Sequence, residues 1–193
     1  MIIKNVQIYT EDKYFEEGNI YIKDGVFTEP FEDDDVIIDG EGCYAIPGLV
    51  DVHFHGCVGH DFCDGTPEAI EKIAEYEASQ GITTIVPATM TLSEDELMKI
   101  MTNAGEYKNE KGAILAGINM EGPFICATKK GAQAATHIRN ASVEEFRKLQ
   151  AASNGLIKLC DIAPEENGAM EFIDAVKATG FADKLELGIP GTA

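Results

Sequence analysis

From Gly48 onward the chain alternates short apolar runs with helix signals at nearly constant spacing, and this rhythm limits the possible folds more than any other feature. Leu49 to His55 reads as a short apolar strand. Thr66-Pro67 predicts a helix to about Gln80, with Thr as N-cap, Pro in the first turn and Gly81 closing it. Ile82-Thr83-Thr84-Ile85-Val86-Pro87 is β-branched and apolar, as a strand buried on both faces should be. Ser93-Glu94-Asp95-Glu96 is a capping box opening a second helix to about Tyr107. Ala113 to Met120 is a third strand, and Ser142-Val143-Glu144-Glu145 a second capping box for a helix to about Ala152. Leu156 to Ala163 and Gly168 to Ala178 complete a fourth strand and helix. Four βα units in a row require a parallel sheet covered by helices. At roughly 32 residues each, eight units would take about 260 residues, close to the size of a (β/α)8 barrel. The expected fold is therefore α/β, the N-terminal half of such a barrel. An open doubly wound sheet is the alternative, but it normally brings a glycine fingerprint or P-loop after the first strand. Here that strand ends in His53-Phe54-His55-Gly56.

Residues 1–47 follow a different pattern. Asn19-Ile20-Tyr21-Ile22-Lys23 alternates cleanly and runs into Asp24-Gly25, a tight-turn signal. Ile2 to Tyr9 alternates in part, and Val36-Ile37-Ile38-Asp39-Gly40 is another short strand. A small antiparallel β module is expected over 1–47, the four units over 48–178, and no assignment for 179–193. The acidic run Glu32-Asp33-Asp34-Asp35 reads as a solvated loop.

Composition narrows the partners. The net charge is 15 − 34 = −19, which disfavours phosphate backbones and anionic lipid surfaces. No nucleic acid and no membrane are expected as partners. A small anionic substrate stays open, because a pocket can hold local positive charge or a metal. No apolar run reaches the length of a membrane span, and the first residues lack a signal-peptide core. Five scattered cysteines read as reduced thiols in a cytoplasmic protein.

Two histidines dominate the candidate chemistry. His53 and His55, two apart on a strand, would project to the same side about 6.6 Å apart at the strand's C-terminal end. Two imidazoles there can share a metal ion, although such a pair can also be ordinary polar groups at a loop edge. Glu121 closes an apolar strand, where a carboxylate needs a partner, and a metal is a natural one. His60 reads as an exposed loop histidine, and His137 is ambiguous. Lys129-Lys130 could meet an anionic substrate or be a solvated pair. Asp161 and Glu165 end the fourth strand, and either could be structural. Cys57 and Cys63 lack the closer spacing of zinc-type cysteine pairs.

Pro47-Gly48-Leu49-Val50-Asp51-Val52-His53-Phe54-His55-Gly56, Gly81-Ile82-Thr83-Thr84, Glu121-Gly122-Pro123-Phe124, Lys130-Gly131-Ala132 and Ile162-Ala163-Pro164-Glu165 together resemble the amidohydrolase superfamily. Within it they are most similar to the N-acetylglucosamine-6-phosphate deacetylases. The resemblance, over about 1–178, implies a metal-dependent barrel with a small β-sandwich. It implies hydrolysis of the acetamide of an amino-sugar phosphate, with a divalent metal, zinc or iron, as cofactor. It makes Glu121 a metal ligand and matches His53 and His55 to positions that hold a second metal in two-metal members. Gln133 stands where many members carry a substrate-contacting histidine, so it is a candidate substrate-binding residue. Two further histidine ligands and the catalytic aspartate belong to later strands, so no residue of this chain is assigned the catalytic role. Alternatives are an inactive fragment of the same ancestry, or an amidohydrolase acting on a cyclic amide or another N-acyl sugar. An incomplete ring of strands would leave apolar surface, so a homo-oligomer is expected.

Overall fold

The structure is a computed structural model that describes residues 1–32 and 36–178. Asp33 to Asp35 of the expected acidic loop, and the unassigned tail 179–193, lie outside the described residues. The chain divides into two compact units, Met1–Gly48 and Leu49–Ala193.

The first unit contains β1 (Ile2–Tyr9), β2 (Phe15–Lys23), β3 (Val26–Phe27), β4 (Ile37–Asp39) and β5 (Tyr44–Ala45). β1 and β2 pair antiparallel, and Asp24-Gly25 turns β2 into β3 with φ of 54° and 77°. Two consecutive positive φ values suit a two-residue hairpin and favour glycine at the second position. β4 and β5 both pair with β1 in parallel, so the module is mixed rather than antiparallel as expected. The chain between β3 and β4 returns to the other edge of β1 before pairing, which reverses the strand direction that a hairpin would give. Ile2 and Val6 of β1 are buried.

The second unit carries β6 (Leu49–Asp51), β7 (Gly56–Cys57), β8 (His60–Asp61), α1 (Pro67–Ser79), β9 (Ile82–Ile85) and α2 (Glu94–Glu106). β10 (Ile114–Leu115), β11 (Ile118–Met120), α3 (Val143–Ala152), β12 (Ile157–Cys160) and α4 (Ala169–Ala178) follow. β6, β9 and β10 pair in parallel, as do β11 and β12, and a parallel bridge Ala88–Asn119 continues the row between them. The expected third strand is thus split at Ala116-Gly117, its first part pairing with β9 and its second with β12. Local caps set the helix starts. Thr66 accepts from Ala69 N–H at 3.3 Å, and Ser93 and Glu96 form a reciprocal box. Ser142 accepts from Glu145 N–H at 3.2 Å, but no second arm forms. The Glu145 carboxylate instead accepts from Arg139 Nε at 3.1 and 3.0 Å. The charge-assisted pair outcompetes a neutral backbone donor.

The main core lies where α2, α3 and α4 cover β11 and β12: Leu97, Ile100, Met101, Phe146, Leu149 and Phe172 meet Ile118, Met120, Ile157 and Cys160. The strands β6 and β9 are less covered than the sequence suggests. Thr83 is exposed, and Leu49 and Val50 keep 51% and 58% exposure. No helix among the described residues is long and apolar enough to cross a membrane.

Candidate metal centre

The residues of interest all follow the C-terminal ends of parallel strands, where α/β proteins gather their functional groups. β6 ends at Asp51, so His53 and His55 do not sit on a strand as expected. Ala88 N–H donates to Phe54 O at 2.7 Å and Phe62 N–H to His55 O at 2.8 Å, which fixes the segment from two sides. His53 N–H also donates to Asp51 Oδ1 at 3.0 Å. The imidazoles still converge, with ring centroids 5.5 Å apart.

Glu121 follows β11 directly. Its Oε2 lies 3.4 Å from His53 Nε2 and 3.3 Å from His55 Nε2. Its other oxygen, Oε1, accepts from Gln133 Nε2 at 2.7 Å. Gln133 is 5% exposed, and its Oε1 accepts from Thr91 N–H at 2.7 Å. The amide of Gln133 is therefore oriented by a backbone donor and clamps one carboxylate oxygen. Gly122, at φ 73°, sits against Thr91, where a Cβ would stand 2.0 Å from Thr91 Oγ1. Only glycine allows this close approach.

The donor set fits a divalent ion. The three ligand atoms lie within 4.8 Å of one another. A tetrahedral ion with ligands at about 2.0–2.1 Å has ligand-to-ligand edges of about 3.3–3.4 Å. Both imidazole–carboxylate separations have that length. Glu121 Oε2 is also buried with no hydrogen-bond donor. Such an oxygen is costly in a bare protein, and a cation offsets that cost.

His53, His55, Glu121 and Gln133 line an open cavity of about 500 Å3, together with Lys129, Lys130 and Asp161. Asp161, just past β12, has its carboxyl pushed up to about 6 by burial and then by the charge of Glu121, with His53 opposing. Glu165 is exposed and does not line the cavity. Lys130 Nζ donates to Gln133 O at 2.9 Å and Gly131 O at 3.3 Å, while the Lys129 side chain is exposed. His60 is half-buried in the β7–β8 hairpin, and His137 closes a short 3-10 turn; neither reaches the cavity. Burial pushes the Cys57 thiol up to about 11 and the Cys63 thiol up to about 12. Sequence reasoning missed Asn119, whose Nδ2 lies 2.9 Å from His53 Nδ1. Its signal was a polar residue inside the apolar run Gly117-Ile118-Asn119-Met120.

A helix-covered parallel sheet with this centre at its strand ends is an α/β protein whose structural neighbours have the amidohydrolase fold. Over 190 residues the chain is 31% identical to N-acetylglucosamine-6-phosphate deacetylase of Bacillus subtilis, with 92% of this chain and 48% of that protein covered. The solved deacetylase of that name from Thermotoga maritima superposes with a TM-score of 0.74 at 29% identity, over 92% of this chain and 46% of that one. A Mycobacterium smegmatis variant, solved with N-acetyl-D-glucosamine-6-phosphate, shares the fold at a TM-score of 0.81 and 23% identity, over 93% and 48%. No family model matches the chain. The chain is a relative of the N-acetylglucosamine-6-phosphate deacetylases and spans about half the length of the curated relatives it matches.

Proposed function

We propose that this chain forms the metal-holding part of a cytoplasmic hydrolase that removes the acetyl group from N-acetylglucosamine 6-phosphate. The carrying observation is the convergence of His53, His55 and Glu121 at coordination spacing in a cavity edged by lysine. In this reading the four βα units are half of a (β/α)8 barrel, and the first unit is part of a β-sandwich. His53 and His55 offer imidazole nitrogens, and Glu121 offers the oxygen that Gln133 leaves free, to a zinc or iron ion. When bound, that ion supplies a water of lowered pKa and polarises the amide carbonyl. Lys129 brings positive charge to the cavity wall of a chain that is otherwise strongly acidic, which suits a sugar phosphate. Self-association belongs to the same reading, since it would cover Leu49 and Val50.

The test is metal content and turnover in the natural protein that carries these residues. Elemental analysis should find zinc or iron in the wild type and little in the His53→Ala, His55→Ala double variant. The wild type should hydrolyse N-acetylglucosamine 6-phosphate faster than its C4 epimer or a cyclic amide, and Glu121→Gln should lose at least about 100-fold in rate. A protein without metal after loading, or one that prefers the cyclic amide, refutes the reading.

A further inference from the structure

We infer that Asn119 is a positioning residue that sets the tautomer of His53, by accepting a hydrogen bond from its Nδ1–H. Asn119 lies on β11, is 4% exposed, and faces His53 Nδ1 at 2.9 Å. A carboxamide is nearly two-fold in shape, so the hydrogen bonds available to it decide which end faces the ring. With the nitrogen facing the ring, Nδ1 must hold a lone pair and Nε2 the proton. Asn119 Oδ1 is then buried with no donor. That proton would face Glu121 Oε2, a favourable contact in the metal-free protein but one that leaves His53 no lone pair for an ion there.

The opposite orientation frees that nitrogen for an ion. Oδ1 accepts Nδ1–H, and the Nε2 lone pair is directed to the point shared with His55 Nε2 and Glu121 Oε2. A partner on the far nitrogen is how ligand histidines are commonly held. The two histidines differ in this respect, because His55 Nδ1 is buried without a hydrogen-bond partner. His53 is therefore the imidazole whose proton position the fold controls. Glu121 is set by Gln133 in the same way, so one carboxamide orients each of these two groups.

The inference rests on the metal-centre reading, because a bound ion is what requires the Nε2 lone pair. The 15N shifts of His53 in the zinc-loaded wild type report which nitrogen carries the proton. Protonated Nδ1 is expected, and protonated Nε2 overturns the proposal. The second test is cobalt(II) affinity measured by competition with a chromophoric chelator. Asn119→Leu should lose the Nδ1–H preference and weaken binding about 10- to 100-fold. Asn119→Asp can only accept, so it should restore the tautomer and bring affinity back to within about threefold of the wild type. A leucine variant that keeps both the tautomer and the affinity overturns the proposal. If the wild type takes up neither zinc nor cobalt, the metal-centre reading and this inference both fail, whereas uptake by the wild type with an unaffected leucine variant overturns the inference alone.

Discussion

Replacing Gln133 with leucine removes two hydrogen bonds from a buried site while nearly preserving side-chain volume. Thr91 N–H would lose the acceptor it holds at 2.7 Å, and Glu121 Oε1 the donor it holds at 2.7 Å. A buried unsatisfied backbone donor costs about 1–3 kcal/mol, and a hydrogen bond to a charged group contributes about 1.5–3 kcal/mol. The Glu121 side chain keeps 23% exposure, so water recovers part of the second loss. The expected destabilisation is about 3 kcal/mol. For a domain of this size that lowers the melting temperature by about 6–12 °C. Thermal unfolding of the metal-free protein, followed by circular dichroism, measures it. Metal affinity should also fall, by about tenfold or more, because the carboxylate is no longer held. A leucine variant that melts within about 2 °C of the wild type would show that the Thr91–Gln133–Glu121 chain contributes nothing.

Arg139→Met should cost about 3 kcal/mol in denaturant unfolding, because it strands the buried Glu145 carboxylate; Arg139→Met with Glu145→Leu should recover most of that loss, and failure to recover would place the cost elsewhere. Cys63 should stay unlabelled by iodoacetamide at about pH 8 in the folded protein while exposed Cys43 reacts, because burial pushes the Cys63 thiol up to about 12 and leaves almost no thiolate; equal labelling of the two by mass spectrometry would refute it.

The helix starts were legible in the sequence because capping is local. Thr66, Ser93 and Ser142 each bond to a backbone N–H three residues ahead, and no distant residue is needed to predict that. The Asp24-Gly25 turn was readable for the same reason, since two positive φ values are a property of the turn itself. The parallel order of β6, β9 and β10 followed from the alternation of strands and helices. His53, His55 and Glu121 could be singled out by residue type and by their place after apolar runs. Their convergence on one carboxylate oxygen could not, because the histidines lie beyond the strand and are aimed by bonds to Ala88 and Phe62. Only the tertiary structure decided that β4 and β5 run parallel to β1, since the direction of a returning chain depends on which edge it reaches. It also decided that Glu145 pairs with Arg139 rather than completing its cap. Gln133 meets Thr91 across 42 positions, and Asn119 meets His53 across 66. Local propensity carries no information about such pairs. They exist because close packing brings buried polar groups together, and each buried group must then find a partner wherever the fold supplies one.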